Sequence, residues 1–358
     1  MKNKKNTIID VMSIILFVVI LSVTSNNTAK AQTTSAPTIN FYGILDAGAS
    51  SYDHGSGSII RPGEGTLATS RLGLKGSSPE LGGITFIFDL QGGLKPNTGT
   101  LGSTTTTGAV FAREAYVGVK GSAGEMRLGT TDLSHASEMD VQNWQFGNYG
   151  LMPINGTAIE LGSFSNNAIR YISPAISGFS IQTGYTSGNS SSATTDSNAA
   201  IKAGSLYYSF NNGKVGMGYA TKAGATKDTE QDAKSIGGSY NFGVASVGAA
   251  YVYGDNSATS TVKSTASVYS VKVPLDQDGL AAHGVYSTAK DGAQTTANEG
   301  RAYTIGLTKT LAPGATVYAA YSKIDNDANS AMYLNTITTA PNAGKDPSLI
   351  TIGINYVF

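Results

Sequence analysis

From Pro37 to the carboxyl end, apolar and polar residues alternate with a period of two, and no stretch carries a convincing helical period. The pattern predicts sixteen extended segments. These are Thr38–Ser51, Ala68–Ser77, Ile84–Leu94, Ala109–Gly121, Gly124–Thr131, Asn167–Pro174, Phe179–Ser187 and Ile201–Asn211. They continue with Lys214–Lys222, Ala233–Phe242, Val244–Gly254, Thr265–Val273, Ala281–Lys290, Arg301–Thr310, Ala315–Asp325 and Ser348–Phe358. The last is the clearest: Ile350, Ile352, Ile354, Tyr356 and Phe358 share one face, and Thr351, Gly353, Asn355 and Val357 the other. Such a strand suits either the cover of a soluble core or a membrane barrel with lipid on one side and water on the other.

The connectors favour the barrel. Tight turns at Asn211-Asn212-Gly213, Phe242-Gly243-Val244 and Ala312-Pro313-Gly314 alternate with long polar links at Gly188–Ala200, Ala223–Asp232, Asp255–Ser264, Asp291–Gly300 and Asn326–Pro347. A short–long rhythm and an even strand count are what a single-chain outer-membrane barrel shows. Many tyrosines fall near segment ends, where interfacial aromatic girdles belong. The expected fold is therefore all-β: a 16-stranded antiparallel transmembrane β-barrel.

One link breaks the rhythm. Between Thr130 and Asn167 no strand pattern appears, yet the stretch holds Trp144, the only tryptophan, with Met139, Phe146, Tyr149, Leu151, Met152, Ile159, Leu161 and Phe164. So apolar a loop is expected to fold into the barrel, against its inner wall, and to narrow the passage.

The amino terminus sets the compartment. Lys2, Lys4 and Lys5 precede an apolar run from Val11 to Val23, and Ala29-Lys30-Ala31 supplies a small-x-small cleavage pattern. A signal peptide over residues 1–31 and a barrel over 32–358 are the expected division. No later stretch approaches the ~20 apolar residues of a transmembrane helix.

Composition removes several kinds of function. The formal net charge is zero, but without Lys2, Lys4, Lys5, Lys30 and Asp10 the remainder holds 20 basic against 23 acidic residues. That balance gives no reason to expect a nucleic-acid partner. Cysteine is absent, so no disulfide or thiolate site is available. His54, His135 and His283 lack metal-ligand spacing, and no Gly-x-Ser-x-Gly elbow or phosphate-binding loop opens a helix. No enzyme activity, metal or cofactor is expected.

Several stretches resemble the trimeric general porins of Gram-negative bacteria. Asn40-Phe41-Tyr42-Gly43-Ile44-Leu45-Asp46-Ala47-Gly48 is similar to their first strand. Ser70-Arg71-Leu72-Gly73-Leu74-Lys75-Gly76 with Glu80-Leu81-Gly82-Gly83-Ile84 is similar to the second-strand signature. Phe111 to Gly121 with Arg127-Leu128-Gly129, and Asn167 to Pro174 with Ser177-Gly178-Phe179, resemble the strands flanking the constriction loop. The loop departs from the family, since the Pro-Glu-Phe-Gly type signature is absent.

The resemblance implies a homotrimer in outer-membrane lipid, passing small hydrophilic solutes and ions by passive diffusion through a water-filled lumen. A substrate-selective porin is the alternative, and an adhesin or structural barrel a third reading. It also implies a basic wall facing loop acids across the narrowest point. By motif the wall is Arg71, Arg113 and Arg170; strand parity adds Lys75 and Arg127, since a charge facing lipid costs ~2–4 kcal/mol. The candidate loop acids are Asp132, Glu138, Asp140 and Glu160. The wall looks basic, while the mature chain and the loop lean acidic. Glu114, adjacent to Arg113, is expected to point the other way, toward a subunit contact. Phe358 is expected to serve as the signal to the outer-membrane assembly machinery.

Overall fold

The computed structural model describes residues 36–55, 57–63, 65–101, 109–134, 163–187, 200–223, 231–256, 263–291, 298–333 and 342–358. The expected leader lies outside them. They form eighteen strand segments and, among the described residues, no helix. The segments are β1 (Thr38–Asp53), β2 (Ser58–Pro62), β3 (Arg71–Ser77), β4 (Ile84–Lys95), β5 (Thr100–Leu101), β6 (Glu114–Gly121), β7 (Gly124–Thr131), β8 (Ser165–Ile172) and β9 (Phe179–Thr186). After them come β10 (Ile201–Phe210), β11 (Gly213–Lys222), β12 (Gln231–Asn241), β13 (Ser246–Asn256), β14 (Ser264–Pro274), β15 (Leu280–Asp291), β16 (Asn298–Ala312), β17 (Ala315–Asn326) and β18 (Ser348–Val357).

These make sixteen staves, because two staves are interrupted. β2 and β3 both pair with β1, at its upper and lower parts, and β5 and β6 both pair with β4. Every neighbour pair is antiparallel, and β18 returns to β1, with Ile44 opposite Val357 and Asp53 opposite Ser348. Closure has a physical cause: an open edge in hydrocarbon would leave a row of N–H and C=O groups unpaired. Two further bonds complete the last rung, Gly43 N to Phe358 O at 3.0 Å and Phe358 N to Gly43 O at 3.1 Å.

The terminal strand separates its faces as its sequence predicts. Ile350, Ile352 and Ile354 are 60%, 61% and 58% exposed, whereas Thr351 between them is 1% exposed. The outward face is apolar elsewhere as well, with Phe41, Phe86, Val117, Met217, Ile236 and Ile305 among the exposed side chains. Rings line up across this face. Tyr269, Tyr286 and Tyr303 are consecutive cross-strand partners on β14, β15 and β16, with centroids 6.4 and 5.2 Å apart. Phe210, Tyr240 and Phe242 form a second row by the short turns. Those turns use left-handed backbone where they are tightest, at Gly243 (φ +86°) and Gly314 (φ +78°).

Two expected strands are shorter than their patterns. Ala68–Ser77 begins only at Arg71, and Ala109–Gly121 only at Glu114. In the first case the cause is visible. Residues 65–70 leave the sheet and turn inward, where Ala68 N donates to the Asp46 carboxylate and Thr66 N to the Tyr318 hydroxyl. β2, which precedes this strap, has no counterpart among the expected segments.

Candidate site on the inner wall

Strand parity and bonding put the charged side chains of β3, β4, β6, β7 and β8 on the inner face. Arg71, Gly73 and Lys75 alternate with Leu72 and Leu74, and the Tyr42 ring lies against Gly73. Lys75 Nζ stands 4.7 Å over that ring. Asp89 is the cross-strand neighbour of both Lys75 and Tyr116, and its Oδ1 accepts a 2.6 Å bond from the Tyr42 hydroxyl.

Arg113 and Arg170 are held by uncharged oxygens. Arg113 Nε donates to Gln91 Oε1 at 2.9 Å, and its guanidinium lies 4.3 Å over the Phe164 ring. Gln91 Nε2 donates in turn to the Tyr42 hydroxyl at 2.8 Å. Arg170 donates through Nη1 to the Asp132 carbonyl at 2.7 Å and through Nη2 to Gln182 Oε1 at 2.6 Å. Arg127 differs: its Nε meets Glu125 Oε1 at 2.6 Å, with Tyr116 beneath the guanidinium at 4.7 Å. Among the described residues, no carboxylate pairs with Arg71, Arg113 or Arg170 within 4.0 Å.

The expectation for Glu114 is corrected. A regular strand cannot send adjacent side chains to one side, but Arg113 precedes β6 and is free of its alternation. Glu114 shares parity with the buried Tyr116, and its Oε1 accepts from Asp132 N at 3.4 Å. Both residues therefore face inward, and Glu114 is not a subunit-contact residue.

The described ends of the long link hug this wall. Asp132 accepts from Ser134 N through Oδ1 at 2.8 Å, and Leu133 is fully buried against Gly184 of β9, where any side chain would collide with it. At the far end Phe164, with φ +44°, reaches Arg113. Of the expected loop acids only Asp132 falls within this region; Glu138, Asp140 and Glu160 lie outside the described residues.

A second polar cluster, absent from the sequence reading, holds the strap to β1 and β17. Asp46, 1% exposed, accepts a 2.6 Å bond from the Tyr318 hydroxyl through Oδ1, and Ala68 N through Oδ2. Its own N–H donates to Ser70 Oγ at 2.8 Å. The Tyr318 hydroxyl also accepts from Thr66 N at 2.9 Å, and Ser50 Oγ lies 3.0 Å from Thr351 Oγ1. Gly65 lies flush on the Asp46 carboxylate, with no room for a Cβ. The signals available were parity (Asp89 with Gln91 on β4) and one acid, Asp46, on an otherwise uncharged strand pattern.

The chain can be set beside known proteins on this geometry. Its fold is similar to that of an anion-selective porin from Comamonas acidovorans, with a TM-score of 0.77 at 22% identity, covering 90% of this chain and all of the other. It is also similar to the trimer form of OmpT from Vibrio cholerae, with a TM-score of 0.66 at 17% identity over 90% of this chain and all of that one. In sequence it is 29% identical over 221 residues to outer membrane porin protein 32 of Delftia acidovorans. That alignment spans 58% of this chain and 61% of the relative. The family model described as Gram-negative porin matches residues 18–329. With its closed sixteen-stave barrel and that match over most of its length, this chain belongs to the Gram-negative porins.

Proposed function

We propose that this barrel is an outer-membrane channel through which small hydrophilic solutes and ions diffuse passively, and that it favours anions. The observation that carries the reading is the inner wall. Arg71, Arg113 and Arg170 have no paired carboxylate among the described residues, and Lys75 and Arg127 lie beside them. Low-dielectric walls focus the field of such a cluster on whatever ion passes. Asp132, with Glu138, Asp140 and Glu160 from the same loop, supplies the opposing charge, so polar solutes are oriented as they cross. The protein does no chemistry; the solute's own gradient drives transport. Likeness to a porin whose name calls it anion-selective agrees with this sign.

The functional unit in this reading is a homotrimer. Support comes from the broad apolar outer face and from likeness to a barrel solved in trimer form. Phe358, bonded into the last rung beside Phe41, acts as the address read by the outer-membrane assembly machinery. The test of the wall is the zero-current potential across a salt gradient for the native channel and for an Arg113→Gln, Arg170→Gln double variant. The native potential takes the sign of anion preference, and the variant moves toward zero. An unchanged potential in a conducting variant overturns the assignment.

A further inference from the structure

Three arginines of the inner wall are anchored in two different ways. Arg127 is held by a carboxylate, Glu125, at 2.6 Å. Arg113 and Arg170 are held by the amide oxygens of Gln91 at 2.9 Å and Gln182 at 2.6 Å. A glutamate at either glutamine position would present an oxygen at the same place and make a stronger, charge-assisted bond. Positioning alone therefore does not call for an amide. What the amide changes is charge: it orients a guanidinium without cancelling it.

The two glutamines are placed for that role. Gln91, on β4, is tied through Nε2 to the Tyr42 hydroxyl, which is itself committed to Asp89 at 2.6 Å. Gln182, on β9, stands opposite Ile172 of β8 and shares its face with Gly184, over which Leu133 is packed. With the Asp132 carbonyl, which bears no net charge, it makes both of the bonds that Arg170 forms to described residues.

We propose that Gln91 and Gln182 are specificity-determining residues of the channel: they position Arg113 and Arg170 on the wall through neutral acceptors, so that neither guanidinium is tied up in a direct ion pair and both present positive charge to passing anions. The inference rests on the proposed role of those arginines, and it names residues which do not themselves have to touch the solute. The ligand class is small anions, with chloride as the probe.

The experiment uses full-length channels in planar bilayers with a potassium chloride gradient near 0.1 M, where the Debye length is ~10 Å. Zero-current potentials are compared for the native channel, Gln182→Glu, Gln91→Glu and Arg170→Gln. Gln182→Glu is expected to lower the chloride-to-potassium permeability ratio at least about fivefold, because one unit charge at ~4 Å in water disfavours chloride about fivefold and favours potassium. Conductance in concentrated salt should stay unchanged, because the side chains are nearly the same size. The shift should shrink near 1 M, where the Debye length is ~3 Å. A potential that moves in Arg170→Gln but in neither glutamate variant overturns this inference and leaves the arginine wall standing. A potential that moves in none of the three overturns both. Should Gln182→Glu fail to assemble, Gln91→Glu carries the same test on the other arginine.

Discussion

Arg127 on β7 and Arg170 on β8 are direct cross-strand partners, so two guanidinium groups share one rung of the same inner face on adjacent strands. Like charges directly opposite are destabilising in a sheet. The repulsion is offset unequally: Arg127 has Glu125 and the Tyr116 ring, and Arg170 has two neutral oxygens. Glu125→Ala should therefore cost about 1.5–3 kcal/mol, the worth of a hydrogen bond to a charged group. It should also move the zero-current potential further toward anions. Thermal unfolding of the detergent-solubilised barrel and a bilayer recording check the two effects separately.

One hydroxyl links two of the anchors of the strap at residues 65–70. Tyr318 both donates to Asp46 and accepts from Thr66 N, so Tyr318→Phe leaves a buried carboxylate and a buried amide each short of a partner. A loss of about 1–3 kcal/mol is expected. Melting curves should register it, and the variant should still close its barrel, because the β17–β18 ladder is unaffected.

Gly184 and Leu133 form a lock-and-step contact at the root of the long loop. Gly184→Val should overpack the site and cost about 1–3 kcal/mol. Adding Leu133→Ala should recover part of that loss. Strictly additive effects in the double-mutant cycle would show that the two residues do not touch.

The Asp276–Lys309 ion pair joins a turn to β16. Asp276, in the turn after β14, accepts from Lys309 Nζ at 2.9 Å and from Leu280 N at 2.7 Å. These bonds, the lysine's foremost, hold its carboxyl below its ordinary value of 3.8. A depressed folded value means that the stabilisation is complete above the unfolded value and is lost as pH falls through the folded one. Melting temperatures of the native protein and Asp276→Asn should differ slightly at neutral pH and converge in strong acid. The neutral-pH gap should narrow in concentrated salt, since the pair is exposed.

Most of the fold was legible because a barrel stave writes its two environments into alternate residues. Ile350, Thr351 and Ile352 show this without ambiguity, and the short–long connectors supplied the order. Interrupted staves were not legible. Ala68, Thr69 and Ser70 look like a strand start, but bonds to Asp46, more than twenty residues earlier, draw Ala68 and Ser70 inward. At the site, motif and parity put all five basic residues on the inner face. Parity failed at Glu114, because it assumes that the strand already runs through Arg113. The anchors Gln91 and Gln182 escaped notice because a neutral amide carries no charge signal; its role depends on which arginine it meets across the sheet.

The central claim is a water-filled passage through a closed barrel. Single-channel recording of the purified full-length protein in planar bilayers tests it most directly. Stepwise openings with conductance rising in proportion to salt concentration are the predicted result. Correctly folded, membrane-inserted barrels that pass no current at any salt concentration would contradict it.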